Sequence, residues 1–246
     1  MNPMKKKTQN VWEQSGVRID FHSHILPHLD HGSGSRETSA AQLAMMQASR
    51  VGTVCATSHF YPQKSLLDTF LKKRQESLGW LLDRVGDAPR PQILLGAEVL
   101  ICEGLENMEG LHRLCLQGTN LLLLEMPFLG GTSWTPRLYA TAEEILGMGI
   151  QPVLAHVDRY PKKAVEPLLK KGMLAQVNAD GLCRRMGRRH LMEWIEQGLV
   201  VALGSDLHEA PPDGYRAWYR VMTTMPEQFR TIMERTEKLV EGAVRY

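Results

Sequence analysis

The sequence predicts an α/β chain built on a parallel sheet, and three observations carry that reading. Seven short apolar runs recur along the chain, longer amphipathic stretches alternate with them, and the length is 246 residues. Strand alternating with helix implies parallel pairing. The length favours a closed barrel over an open sheet, a choice that periodicity alone does not make.

The predicted strands are Val17–Phe21, Thr53–Thr57, Ile93–Ala97, Leu121–Met126, Gln151–Ala155, Met173–Val177 and Val200–Gly204. Several are nearly continuous in Val, Leu and Ile, as strands buried on both faces require. The predicted helices are Glu37–Arg50, Ser65–Val85, Thr135–Gly147, Lys162–Lys171, Met186–Gln197 and Pro226–Gly242. In the second of these, Leu66, Phe70, Leu71, Leu78, Leu81 and Leu82 recur at helical spacing. Gly172 suits the residue just past the fourth.

Composition removes several classes of function. The chain carries 29 Lys plus Arg against 27 Asp plus Glu, a net charge of +2. That balance argues against a nucleic-acid partner. A hydrophobic share of 43% argues against disorder. Residues 1–16 read as a flexible extension in which Lys5, Lys6 and Lys7 precede no apolar run, so no secretory signal is expected there. No stretch approaches the roughly 18 apolar residues that membrane insertion needs. The four cysteines are scattered without a Cys-x-x-Cys pair. They fit a reducing cytoplasm and a role as small buried hydrophobes.

The chemistry concentrates at the strand ends. The runs end in Asp20-Phe21-His22-Ser23-His24, Thr57-Ser58-His59, Gly96-Ala97-Glu98, Leu124-Glu125, Ala155-His156-Val157-Asp158-Arg159, Val177-Asn178 and Gly204-Ser205-Asp206-Leu207-His208. Six of the seven therefore finish in His, Asp or Glu, at the rim where (β/α) barrels place catalytic groups. Residues i and i+2 of a strand face one side, so His22 and His24 are expected to point together, and Asp206 and His208 likewise. Imidazoles and carboxylates are ligands for Zn, Mn or Fe. Of the nine histidines, His28, His112 and His190 read as bystanders. Asp30 and His31 sit in a loop that Gly32 and Gly34 let fold back over the rim.

These motifs, in order from about residue 17 to the C-terminus, resemble the polymerase-and-histidinol-phosphatase superfamily. Within it they resemble the CpsB/YwqE-type bacterial tyrosine phosphatases. The resemblance implies a distorted (β/α)7 TIM-like barrel over residues 17–246, a single phosphatase domain with up to three divalent metal ions, manganese by expectation. It places His22, His24, Glu98 and Asp206 on a first ion, and Glu98, Glu125 and His156 on a second. His31, His59 and His208 fall on a third, with Asp30 the alternative to His31. Arg159 would grip phosphate, and His208 or a neighbouring ligand would protonate the leaving phenolate. The implied reaction is hydrolysis of phosphotyrosine by a metal-activated hydroxide, and the implied partner is an autophosphorylating tyrosine kinase of capsule or exopolysaccharide export. Two departures stand out. The family usually has Asp-Asp-Gly where this chain has Asp30-His31-Gly32, and often has Asn and then a basic residue where Glu209-Ala210-Pro211-Pro212-Asp213 intervenes before Arg216.

Other readings compete. A histidinol-phosphatase-like phosphoesterase would use the same metals. A metal-dependent amidohydrolase would want a bridging lysine and an eighth strand, and neither is found. A regulatory protein could bind metal without turnover. Cys183 and Arg189 have the spacing of cysteine-dependent phosphatases, but Arg184, Arg185, Met186, Gly187 and Arg188 between them supply no glycine-rich phosphate cradle.

Overall fold

The computed structural model describes residues 18–128, 134–184, 188–211, 214–244 and 246. The expected N-terminal extension, residues 185–187 and Pro212-Asp213 lie outside the described residues. The strands are β1 (Ile19–Ser23), β2 (Thr53–Ala56), β3 (His59–Phe60), β4 (Gln92–Leu95), β5 (Glu98–Leu100), β6 (Leu121–Glu125), β7 (Gln151–Leu154), β8 (Leu174–Asn178) and β9 (Val200–Gly204). The helices are α1 (Arg36–Ala48), α2 (Leu67–Val85), α3 (Pro136–Gly147), α4 (Lys162–Lys170), α5 (Ala179–Cys183), α6 (Arg188–Glu196), α7 (Arg216–Thr224) and α8 (Pro226–Leu239).

All strand pairs are parallel, in the orders β1-β2-β4 and β3-β5-β6-β7-β8-β9. The second and third predicted strands end early, at Ala56 and Leu95, and after a two-residue break each is followed by a further short strand. The breaks fall at Thr57-Ser58 and at Gly96-Ala97. The Glu98 amide is shared between the carbonyls of Thr57 and Ser58, at 3.1 Å each. Such an interruption re-aims the next side chain, and here those are His59 and Glu98, which pair in register. The first wall meets the last at the strands' C-terminal end. Asp206 N donates to His22 O (2.7 Å) and His24 N to Leu207 O (3.1 Å).

Packing follows the period-two rule. On β6, Leu121 and Leu123 join a cluster with Ile19, Phe21, Cys55 and Val153, whereas Leu122 and Leu124 join the larger core with Ile145, Leu168 and Trp194. Local signals set the helix ends. The Ser35 hydroxyl accepts from Thr38 N ahead of α1, and the Thr135 hydroxyl from Leu138 N ahead of α3, with Pro136 next. Gly172 follows α4 at φ +99°, a conformation L side chains resist.

Two expectations change. Helices α5 and α7 had no counterpart in the reading by periodicity, since five residues and nine residues after a proline-rich segment give too short a pattern. Asp206 and His208 do not repeat the strand geometry of His22 and His24. Strand β9 stops at Gly204, and Asp206 takes φ 53°, which no strand can continue.

Candidate metal centre

The rim builds a cluster of converging ligand atoms. His22 and His24, both fully buried, bring their Nε2 atoms within 3.1 Å of each other. Each also approaches Glu98 Oε2, at 3.2 and 3.4 Å, and Asp206 Oδ1, at 3.5 and 3.3 Å. Glu98 reaches the other way as well. Its Oε1 lies 2.8 Å from His156 Nε2, and its Oε2 lies 2.9 Å from His59 Nδ1. Glu125 stands 3.7 Å from each of those two nitrogens. Three groups can each close on one ion among the described residues: His22-His24-Glu98, His59-Glu98-Glu125 and His24-His59-His208. The exposed His31 ring lies beside the last group, centred 4.8 Å from His59 and 4.7 Å from His208.

Second contacts fix which nitrogen faces inward. Asp30 Oδ2 accepts from His24 Nδ1 (2.8 Å) and from His59 N (2.8 Å), while its Oδ1 accepts from Gly32 N (2.9 Å). Both Asp30 oxygens are engaged, and Asp30 orients His24, while the His31 ring faces His59 and His208. Gly32 makes this loop possible, because a Cβ there would lie 2.0 Å from His24 Cβ. His22 Nδ1 donates to Gln176 Oε1 (3.1 Å), which also accepts from His156 N (2.7 Å). The relay continues from Gln176 Nε2 to Asn178 Oδ1 (2.8 Å) and from Asn178 Nδ2 to Asp206 Oδ2 (3.1 Å). His208 Nδ1 donates to Asp206 O (3.0 Å). The Nδ1 atoms of His22, His24 and His208 thus donate outward, and it is Nε2 of each that faces the cluster. Buried Asp20 holds the adjoining turn, accepting from Ser205 N (2.8 Å), Ser205 Oγ (2.6 Å) and the Tyr215 hydroxyl. Sequence reasoning quoted Val177-Asn178 at the end of its run without a role. The signal it lacked was the pairing of two amide side chains with residues on three other strand ends.

Removal of the Gln176 acceptor by Gln176→Leu is expected to weaken metal affinity by about 10–100-fold, the usual consequence of losing such a partner. A competitive chelator titration reads this, and an unchanged affinity would count against the relay.

The electrostatics fit a cation. Burial pushes Glu125 upward, and the neighbouring Glu98 charge adds to it, raising the carboxyl to about 8. Burial opposes charge on His24 too, yet the Asp206, Asp30 and Glu98 carboxylates hold it well above the usual imidazole range. The cluster therefore collects protons in the place where divalent ions would supply the positive charge. Glu98 Oε2 and His208 Nε2 are buried and make no hydrogen bond among the described residues, although Glu98 Oε2 has three imidazole nitrogens around it. Atoms left this way inside a protein are costly unless a ligand takes them. His156 and Asp206 also adopt left-handed backbone, at φ 33° and 53°, a strain associated with functional positions.

The remaining candidates separate cleanly. Arg159, one-third exposed in its side chain, donates from Nη2 to Asp206 Oδ2 at the cluster's edge. Exposed His28 sets its ring edge-on to Trp80, His112 lies in a short 3-10 helix, and His190 packs on Trp194. Cys183 is the last residue of α5, its thiol is pushed up by burial, and it contacts Ala217 O at 3.6 Å. Arg189 pairs with Glu193 and is 94% exposed in its side chain, so the two residues form no phosphate cradle.

The tyrosine-protein phosphatase CpsB of Streptococcus pneumoniae is 29% identical over 210 residues, covering 77% of this chain and 82% of that protein. The tyrosine-protein phosphatase YwqE of Bacillus subtilis (strain 168) is 25% identical over 200 residues, covering 77% of each. A solved chain from the structures of YwqE from Bacillus subtilis and CpsB from Streptococcus pneumoniae, described as unique metal-dependent tyrosine phosphatases, superposes with a TM-score of 0.73 at 21% identity. It covers 93% of this chain and 97% of that one. A histidinol phosphate phosphatase from Lactococcus lactis superposes with a TM-score of 0.54 at 13% identity, over 90% of this chain and 93% of that one. The last two likenesses establish the fold. The family model for capsular polysaccharide synthesis, CpsB/CapC, matches residues 18–216, and the chain belongs to that family.

Proposed function

We propose that the chain is a metal-dependent protein-tyrosine phosphatase, with residues 17–246 as its catalytic domain. The observation that carries this reading is the buried Glu98 carboxylate, placed between two ligand groups and engaged by His22, His24, His59 and His156. The ligand set is His22, His24, Glu98 and Asp206 for one ion, Glu98, Glu125 and His156 for a second, and His31, His59 and His208 for a third. Mixed nitrogen and oxygen donors suit manganese, with iron or zinc compatible. Divalent ions bound there would acidify a coordinated water and offset charge on the phosphoryl oxygens.

The chain's own residues do the rest. Arg159 turns its guanidinium from Asp206 to the phosphate, where a planar fork matches two oxygens. Burial and the nearby His24 push His208 down to about 4, so it holds no ring proton to spare at neutral pH. The ligand role, rather than the proton-donor role, is therefore the one we assign it. The Gln176 relay holds His22, His156 and Asp206 in a common frame. The substrate is a phosphotyrosine protein, and the partner proposed is an autophosphorylating tyrosine kinase of capsule synthesis. All four cysteines are free, and among the described residues no helix is long and apolar enough to cross a membrane. The free thiols support a cytoplasmic location.

The test joins metal analysis to a phosphatase assay on wild type and His22→Ala. Loss of both metal and phosphotyrosine turnover is expected. Full turnover in chelator-treated wild type would sink the proposal, and preference for histidinol phosphate over phosphotyrosine peptide would move the chain to that neighbouring activity.

A further inference from the structure

Two aromatic rings stand at the cluster without a role in holding it. Phe128 is 55% exposed, unusual for a large apolar side chain, and its ring stacks on His156 with centroids 5.8 Å apart and planes inclined by 26°. Half-buried Tyr61 stacks on His59, at 5.2 Å and 19°. His156 and His59 are the two imidazoles that flank the Glu98–Glu125 carboxylate pair, from Oε1 and from Oε2 respectively. One aromatic ring thus lies against each of the two imidazoles beside the place where a phosphoryl group would meet bound ions.

Both rings are held in place. Tyr61 O accepts from Lys64 N (2.9 Å) and Ser65 N (3.1 Å), which closes a turn, and the Lys64 ammonium lies 4.9 Å from the centre of the Tyr61 ring. Phe128 follows Pro127, whose carbonyl accepts from Trp134 Nε1 (2.9 Å), and it also packs against Tyr160.

We infer that Phe128 and Tyr61 select the aryl group of the substrate, offering ring contacts to the phenyl group of a phosphate monoester. The inference rests on the phosphatase reading and adds the basis of its preference for aryl over alkyl esters. Ring-on-ring contact gains offset or edge-to-face attraction that an alkyl chain cannot supply.

The experiment is calorimetric titration of manganese-loaded protein with phenylphosphonate and with methylphosphonate, which carry the same anionic head. Wild type is expected to bind phenylphosphonate about tenfold more tightly, as one favourable aromatic contact implies. Phe128→Ala and Tyr61→Ala are expected to erase that difference and leave methylphosphonate binding unchanged, while Phe128→Tyr retains it. Equal binding of the two ligands by wild type, or equal weakening of both in the variants, overturns the assignment. Failure of wild type to bind either phosphonate overturns the phosphatase reading itself, and the aryl assignment with it.

Discussion

Glu98→Gln is expected to cost about a thousandfold in kcat on phosphotyrosine peptide, together with a drop in bound metal, since metal-supplied charge stabilisation is worth several kcal/mol. The side chain keeps its shape in this variant and loses its charge. Glu98 is held well below the usual carboxylate range: burial alone would raise it, but His22, His156 and His24 together prevail. An amide at this position presents an NH2 group to imidazole nitrogens already crowded around it, and it is a poor ligand for two ions at once. Inductively coupled plasma mass spectrometry counts the ions, and steady-state kinetics give the rate. Retention of metal and rate together would remove Glu98 from the centre of the mechanism.

Arg159→Lys is the second large effect. Lysine keeps the charge and loses the planar fork, so one of two charge-assisted hydrogen bonds to phosphate disappears. Such a bond is worth about 1.5–3 kcal/mol, a fall in kcat/KM of about 10- to 100-fold. Metal content is expected to stay at the wild-type level, because Arg159 is not a ligand and its guanidinium donates to the Asp206 oxygen that Asn178 also holds. A parallel loss of metal would instead make Arg159 part of the scaffold around Asp206. The pair of variants therefore separates residues that hold the ions from residues that hold the substrate.

Much of the centre could be read from residue order. The seven apolar runs gave the strand walls, and polar residues at their ends were gathered into one cluster because parallel strands bring their C-terminal ends to one rim. His22 and His24 met as their i, i+2 spacing requires. What stayed hidden depended on backbone departures that leave no periodic trace. Breaks at Thr57-Ser58 and Gly96-Ala97, where the apolar runs end, set off short strands that the runs did not show, and they decide where His59 and Glu98 point. Asp206 leaves the strand geometry its spacing suggested, since Ser205 is tied to Asp20 and the next residue turns left-handed. The hydrogen bonds that Asp30 accepts from His24, Gly32 and His59 also needed three dimensions to be seen.

The left-handed backbone at His156 and Asp206 has a consequence for how this protein can be improved. An L side chain in that region costs about 1–2 kcal/mol that glycine avoids. Both positions therefore pull stability and activity in opposite directions, the reverse of a core leucine, where the two rise and fall together. Selection for heat resistance alone would reward glycine at the sites where the chemistry needs an imidazole and a carboxylate. Any stabilising library should hold these two residues fixed and seek its gains elsewhere, in the helices and loops remote from the rim.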